Sequence, residues 1–232
     1  MSRFAMANIV KGYQIFILLI CSLFTCSSAW IASDTESLLN KMEAAYVAVK
    51  DYQVEVNSRV YQRDGSEEKK KILYTFKKPG WIRLDFELPN PGMILIYPDK
   101  HGKVVIQPSG WARFFKLHLS PNSFLLKDVS KQRIDQTDLG LLIRNISHSL
   151  TDQRRGPVEV SEDDGRIELH VLADDHFRKG VTTRYRFLID KDLWLPAAVE
   201  ELTPKGILKR TITFRNLRIN IGVSDSFFQL KE

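Results

Sequence analysis

The sequence predicts an α+β fold that is mostly antiparallel β-structure: an incomplete, half-open β-barrel of about ten strands with helices covering its concave side. The first reason is a long series of strand-length segments in which apolar and polar residues alternate. The second is that turn residues such as Asp64-Gly65 and Pro204–Gly206 separate these segments at short intervals. Short connections favour antiparallel neighbours, because parallel strands need long crossovers.

Two segments have apolar residues at helical spacing instead. Ser33 and Glu36 have the spacing of a capping box, and the residues after them predict an amphipathic helix over about residues 34 to 50. A second helix is predicted over residues 135 to 152, with an Asp or Thr as its N-cap. An internal glycine, Gly140, lowers the helical propensity of this second segment.

The remaining segments are predicted strands, five or six before the second helix and four or five after it. The first group reads YQVEVNSRVYQ, KILYTFKK, GWIRLDFEL, GMILIYP, KVVIQP and ARFFKL. The second group reads PVEVSED, RIELHVLA, TTRYRFLID, PAAVEEL and ILKRTITFRNLRI. So many antiparallel strands are expected to curl instead of lying flat, because sheets twist.

The N-terminus resembles a secretory signal peptide. Arg3 and Lys11 precede an apolar run from Ile15 to Phe24, and small residues lead to Ala29. We therefore expect a leader of residues 1–29, a single domain of residues 30–232 and a periplasmic location. Two alternatives stay open: a membrane anchor, since the apolar segment is just long enough to span a bilayer, and a lipoprotein attached through Cys26.

Composition excludes several classes of protein. Both cysteines, Cys21 and Cys26, lie in the leader, so the rest of the chain offers no disulfide and no thiolate site. Without Arg3 and Lys11 the formal charge is +4, since 32 basic residues face 28 acidic ones. This mild excess is compatible with anionic lipid headgroups or with simple solubility. No nucleic-acid-binding pattern appears, and we expect no nucleic acid partner.

Few residues resemble an active site. The five histidines form no metal-binding pair, and no nucleophile elbow or phosphate-binding loop occurs. Asp174, Asp175 and His176 lie together in a segment that reads as a solvated loop between strands, and Arg154-Arg155 reads as the end of a helix. The sequence thus predicts no catalytic residue, no metal and no cofactor; an envelope hydrolase that uses Asp174, Asp175 and His176 is the least favoured alternative.

The strand after Lys78-Pro79-Gly80 places Ile82, Leu84 and Phe86 on one face, and Trp81, Arg83 and Asp85 on the other. The next strand, with Ile94 and Ile96, is apolar on both faces, and Phe214 adds another apolar residue near the C-terminus. These faces meet in either of two ways. Either they fill a core, or they line a cavity that accepts an acyl chain. Burial of an acyl chain contributes about 0.8 kcal/mol per CH₂ group.

The stretch Lys78-Pro79-Gly80-Trp81-Ile82 and the C-terminal run over residues 187–230, with Phe214, Asn220, Phe227 and Phe228, resemble the LolA family of periplasmic lipoprotein carriers. The resemblance covers about residues 34 to 230. It departs from the family pattern at Lys78, where the carriers commonly have Arg, which makes planar bidentate contacts that Lys does not.

The resemblance implies a monomeric, non-enzymatic carrier for lipoprotein acyl chains or lipids, with an inner-membrane donor and an outer-membrane acceptor. It places the cavity or its mouth at seven residues: Lys78, Ile82, Leu84, Phe86, Ile94, Ile96 and Phe214. A lipid-sensing, signalling or scaffolding module of the same fold is the alternative.

Overall fold

The computed structural model describes residues 27–123, 126, 133–151, 158–163 and 165–230. Nearly all of the predicted leader, both cysteines and the basic segment at 154–157 lie outside the described residues. The chain divides into two compact units, residues 1–40 and 41–232. The described part of the first unit belongs to a long helix, α1 (Ser27–Ala48), whose last two turns belong to the second unit.

Helix α1 begins earlier than the sequence predicts. Ser33 lies inside the helix and not at its N-cap. The Ser-x-x-Glu spacing that marks a capping box also fits a helix interior, where Ser costs only a few tenths of a kcal/mol relative to Ala. The C-terminal end at Ala48 lies close to the predicted end near residue 50.

The second unit is built on one antiparallel sheet of eleven strands. The strands are β1 (Asp51–Tyr61), β2 (Glu67–Lys77), β3 (Trp81–Leu88), β4 (Ile94–Tyr97), β5 (Val104–Gln107), β6 (Leu117–Leu119), β7 (Glu159–Asp163), β8 (Arg166–Asp174), β9 (Thr182–Asp190), β10 (Leu195–Leu202) and β11 (Leu208–Ile219). A second helix, α2 (Leu139–Thr151), lies between β6 and β7 in the chain. Three short 3₁₀ helices complete the fold: Gly110–Phe114, Ile134–Gln136 and Asp225–Phe228.

The strand order is β6-β5-β4-β3-β2-β1-β11-β10-β9-β8-β7. Each half of the chain is a meander, and the halves join where β1 pairs with β11, for example Val56 opposite Phe214. Strands β6 and β7 form the two edges among the described residues, so the sheet is open. The predicted fold class, an open antiparallel barrel-like sheet with helices, is confirmed.

Two local predictions are wrong. The segment ARFFKL, predicted as one strand, forms part of the 3₁₀ helix Gly110–Phe114 followed by the three-residue strand β6. The C-terminal aromatic segment, for which the family resemblance implies a final strand, forms the 3₁₀ helix Asp225–Phe228 instead. Its N-cap, Ser224, accepts a hydrogen bond from the backbone of Ser226, which satisfies a helix-end N–H that a strand would have paired across a ladder.

The segment after β11 lies against the face of the sheet that carries Trp81, Arg83 and Asp85. Trp81 packs edge-on against Phe228, with 5.5 Å between ring centroids. Arg83 binds the carboxylate of Asp85 and donates a hydrogen bond of 2.9 Å to the carbonyl of Phe227. The C-terminal segment thus covers this outer face, which explains why a tryptophan occurs among otherwise polar residues of β3.

Candidate functional site

The inner face of the sheet surrounds an apolar cavity of about 230 Å³. Side chains from β1, β2, β3, β4, β9, β10 and β11 line it together with α2, so seven strands converge on one space and the sheet must curve around it. The apolar wall consists of Tyr52, Val54, Val56, Ile72, Tyr74, Leu84, Phe86, Leu95, Ile134, Tyr185, Phe187, Val199, Ile212 and Phe214.

Stacked aromatic rings make much of this wall rigid. Tyr52 stacks on Tyr74 and on Phe76, with centroid separations of 5.8 and 5.2 Å. Across the sheet, Tyr185 stacks on Phe187 at 5.3 Å. Such pairs add about 0.5–1.5 kcal/mol each beyond their buried area, so they favour a preformed pocket.

Helix α2 covers the cavity. Its residues Leu139, Leu142 and Asn145 line the space, while Ile143 and Ile146 are fully buried. The helix begins at Leu139 and not at the predicted residue 135. An Asp is the N-cap, namely Asp138, because its carboxylate accepts a hydrogen bond of 2.6 Å from the backbone N–H of Leu141.

The inner face of the sheet also anchors this helix end. The hydroxyl of Tyr52 accepts a hydrogen bond of 3.1 Å from the backbone N–H of Leu139. The start of α2 is therefore tied to the floor of the cavity by a buried side chain.

The predicted site residues divide between the two faces of the sheet. Leu84, Phe86 and Phe214 line the cavity, whereas Ile82 is buried on the same face but does not line it. Ile94 and Ile96 point to the outer face, because Leu95 between them lines the cavity. Ile94 borders a separate groove of about 710 Å³ beside the C-terminal segment.

Lys78 lies at the C-terminal end of α1. Its ammonium group donates hydrogen bonds to the carbonyls of Tyr46 and Val47, at 2.9 and 3.0 Å, and lies 4.8 Å from the centre of the Tyr46 ring. These carbonyls have no partner within the helix, and a cation there interacts favourably with the helix dipole. The contacts describe a cation that caps a helix end.

We expect Lys78→Met to lower the free energy of unfolding by about 0.5–1 kcal/mol, through loss of this cap. We also expect it to leave the affinity for an apolar probe unchanged within twofold, since Lys78 does not line the cavity. Chemical denaturation and fluorescence titration measure the two effects. Lys100→Met, in the exposed turn after β4, is the matched control, and a large loss of probe affinity in Lys78→Met alone would contradict the capping role.

In the cluster Asp174, Asp175 and His176, the side chains of Asp175 and His176 both form specific contacts with neighbouring residues. The carboxylate of Asp175 is buried and accepts hydrogen bonds from the backbone of Phe177, from the side chain and backbone of Arg178, and from the hydroxyl of Thr183. These donors lower the pKa of Asp175 against the opposing effect of burial. The carboxylate thus fixes the loop between β8 and β9.

His176 stacks on Tyr185 at 4.4 Å, and its Nε2 lies 2.7 Å from the hydroxyl oxygen of Ser149. The Ser149 hydroxyl donates its one proton to the carbonyl of Asn145, so His176 is the donor in the contact between them. A general base would have to accept from Ser149 instead. Burial lowers the pKa of His176 to about 4, which keeps the ring neutral near pH 7.

Three charged residues line the cavity although the sequence analysis does not predict them as site residues: Lys70, Glu201 and Arg210. A signal for one of them exists in β11, where Arg210 falls in the same alternation as Ile212 and Phe214. Among the described residues, no three His, Cys, Asp or Glu side chains converge to form a metal site. Nor does the described part of the chain contain a helix with the length and apolar character that crossing a bilayer requires.

An aromatic cluster lies apart from the cavity, in the 3₁₀ helix before β6 and the residue after it. Trp111, Phe114 and Phe115 are 85%, 77% and 60% exposed. Arg113 and Lys116 are interspersed with them. Large exposed aromatic groups next to cations are typical of binding surfaces.

No protein-family model matches the sequence, and no curated protein is significantly similar to it. Solved structures do match. An uncharacterized conserved protein from Thermus thermophilus has a TM-score of 0.52 at 11% identity, over 86% of this chain and 94% of that one. The LolA superfamily protein NE2245 from Nitrosomonas europaea has a TM-score of 0.39 at 12% identity, over 84% and 97% of the two chains.

MucB in complex with MucA(peri) has a TM-score of 0.44 at 16% identity, and the match spans 85% of this chain but only 60% of MucB. At these identities the likeness is one of fold.

Proposed function

We propose that this protein binds an acyl chain of a lipid or lipoprotein and carries it between membranes of the cell envelope without covalent chemistry. The supporting observation is the apolar cavity between the inner face of the sheet and α2. Aliphatic and aromatic side chains form most of its lining, and an alkyl chain needs no other contacts. Burial of each CH₂ group contributes about 0.8 kcal/mol, which gives even a short chain a substantial drive to bind.

The size of the cavity indicates how binding and release would work. At about 230 Å³ it is smaller than pockets for drug-sized ligands, which measure about 300–1,000 Å³. A long chain therefore enters only if α2 moves and exchanges its own contacts with the sheet for contacts with the ligand. Affinity then depends on the balance between closed and open α2, which suits a carrier that must also release its cargo.

The predicted leader indicates which membranes the carrier would exchange cargo with. A signal peptide over residues 1–29 would export the protein, and a carrier outside the cytoplasm would take its cargo from an inner-membrane donor and deliver it to an outer-membrane acceptor. The uncleaved or lipidated leader would instead keep the cavity beside one membrane.

Val56→Trp tests the cavity as the binding site. Val56 lines the cavity on β1 and is only partly buried, so a larger side chain at this position occupies the space without disrupting the core. We expect the dissociation constant for the neutral fluorescent probe N-phenyl-1-naphthylamine to rise at least tenfold. The matched control is Arg59→Trp, at an exposed position on the opposite face of the same strand.

Equal affinity of Val56→Trp and the wild-type protein for the probe would contradict the proposal. So would purified wild-type protein that binds neither the probe nor any lipid detected by mass spectrometry after extraction. Circular dichroism of each variant separates loss of binding from loss of fold.

The exposed aromatic cluster favours a second function, a module that binds an acidic surface of another envelope protein. Trp and Arg are enriched among the residues that dominate binding energy, and Arg113 and Lys116 would complement negative charge on the partner. A photo-crosslinking residue at position 114 would identify the partner in intact cells. Against the purified partner, Trp111→Ala should then weaken binding at least tenfold, while Val47→Ala, at another exposed apolar position, should not.

Crosslinking of position 114 to lipid alone would overturn this second function. So would a partner bound equally well by Trp111→Ala and the wild-type protein.

A further inference from the structure

One end of the apolar cavity carries charge. Glu201 on β10 and Arg210 on β11 are cross-strand neighbours on the inner face, and both line the cavity. Their side chains are 9% and 12% exposed. Burying such charged groups is costly unless each is paired and hydrogen-bonded, so their presence on an apolar wall calls for a physical reason.

The two residues do not satisfy each other. The closest approach between them, from Nη1 of Arg210 to Oε1 of Glu201, is 3.8 Å, which is too long for a hydrogen bond. The Nε of Arg210 is buried and has no acceptor among the described residues. A buried guanidinium donor without an acceptor costs about 1–3 kcal/mol or more, which a ligand oxygen would recover.

Glu201 does not accept a hydrogen bond from this donor. Burial raises the pKa of its carboxyl group, with Asp175 acting in the same direction and Arg210 in the opposite one. The pair therefore leaves the Nε donor of Arg210 open to an oxygen of a ligand.

A second cation lies on the inner face at the same end of the sheet. Lys70, near the start of β2, lines the cavity and pairs across the ladder with Ser58. Ser58 also lies opposite Ile212, and Val60, two residues further along β1, lies opposite Arg210. Lys70 and Arg210 therefore flank the inner face of β1, where the other residues that line the cavity are Ser58 and the apolar or aromatic side chains before it.

We infer that the ligand is a single-chain amphiphile with an anionic head, carboxylate or phosphate, whose head binds Arg210 and Lys70 while its tail lies against the apolar wall. This inference rests on the proposed function and specifies its ligand. A guanidinium contacts either head group through strong charge-assisted hydrogen bonds. The cavity volume of about 230 Å³ favours one chain over the several chains of a lipoprotein anchor.

The test compares ligands of one chain length and different heads. Dodecanoic acid, dodecyl phosphate and dodecan-1-ol are titrated into the wild-type protein that carries a bound neutral fluorescent probe, and displacement gives their dissociation constants. We expect at least one anionic ligand to bind ten times more tightly than the alcohol, and the two anions identify the preferred head.

Arg210→Met retains a side chain of similar length without the charge. We expect it to remove the preference for the anion, with a tenfold or larger rise in its dissociation constant, and to leave the alcohol unchanged within twofold. Arg215→Met, at an exposed position on the outer face of the same strand, is the matched control. Glu201→Gln should instead tighten anion binding, an effect that a purely structural role of the pair does not predict.

Three results would overturn the inference. Equal binding of the alcohol and both anions by the wild-type protein would reject the anionic head and leave the proposed function standing. Equal loss of affinity for all three ligands in Arg210→Met would show that Arg210 supports the fold and not the head group. Failure of the wild-type protein to bind any of the ligands or the probe would reject both the inference and the proposed function.

Discussion

Acidification from pH 6.5 to pH 4 is expected to lower the free energy of unfolding by up to about 3 kcal/mol through His176 alone. Burial lowers the pKa of this histidine from 6.5 to about 4, so the folded state keeps it neutral over a range in which the unfolded state binds a proton. Stability contributed by a depressed histidine pKa is fully present above the unfolded value. It is lost as the pH falls towards the folded value.

The neighbours of His176 determine how this loss must be measured. Asp175 raises its pKa and His148 lowers it, while the raised pKa of Glu201 nearby gives a dependence of opposite sign. The slope of stability against pH in the wild-type protein is therefore a sum of contributions. The difference between the wild-type protein and His176→Gln isolates the histidine, since glutamine keeps a donor for Ser149.

Urea denaturation at pH 7, 6, 5 and 4 provides the measurement. His176→Gln is expected to start from a lower stability at pH 7, because it loses the stack on Tyr185, and to show a shallower decline below pH 6.5. His101→Gln, in the exposed turn after β4, should decline as steeply as the wild-type protein. Parallel curves for His176→Gln and the wild-type protein would show that His176 titrates normally.

The inner wall of the cavity is largely predictable from alternation. In β3 and β11, every second residue faces inward, so Leu84, Phe86 and Phe214 reach the cavity as the sequence predicts. The same rule extends to Arg210, which a search for apolar residues overlooks. Local pattern is enough here because one face of each strand is clearly more apolar than the other.

Alternation fails where both faces of a strand are buried. Strand β4 is apolar on both sides, so its sequence does not distinguish the cavity-lining Leu95 from Ile94 and Ile96. The outer face is apolar because the segment after β11 packs on that side of the sheet, more than a hundred residues later in the chain. A contact so distant in sequence leaves no periodic signal in β4 itself.

The role of Lys78 depends on tertiary structure in the same way. Its position before a proline and a strand is visible in the sequence, but the carbonyls that it caps belong to α1. The position of that helix end relative to the start of β3 follows from the packing of the whole unit. The partner of the ammonium group is therefore determined by tertiary structure and not by the residues around Lys78.

Gly140→Ala is expected to lower the free energy of unfolding by up to about 2 kcal/mol, although alanine favours helices more than glycine does. A Cβ at position 140 would lie 2.3 Å from Cε1 and 2.6 Å from Cζ of the Tyr46 ring, far inside van der Waals contact. Overpacking costs about 1–3 kcal/mol, whereas the gain in helical propensity is about 1 kcal/mol. The clash should prevail, because the three closest atoms, Cε1, Cζ and the hydroxyl oxygen, belong to one rigid aromatic group.

The sign of the effect should reverse when the ring is removed. In a Tyr46→Ala background, Gly140→Ala meets no obstacle and should raise the free energy of unfolding by about 0.5–1 kcal/mol through helical propensity. A double-mutant cycle by urea denaturation measures this coupling directly. If Gly140→Ala has the same effect with and without the Tyr46 ring, then close packing between α1 and α2 is not the reason for glycine at this position. The ring contact would then contribute nothing to holding α2 over the cavity.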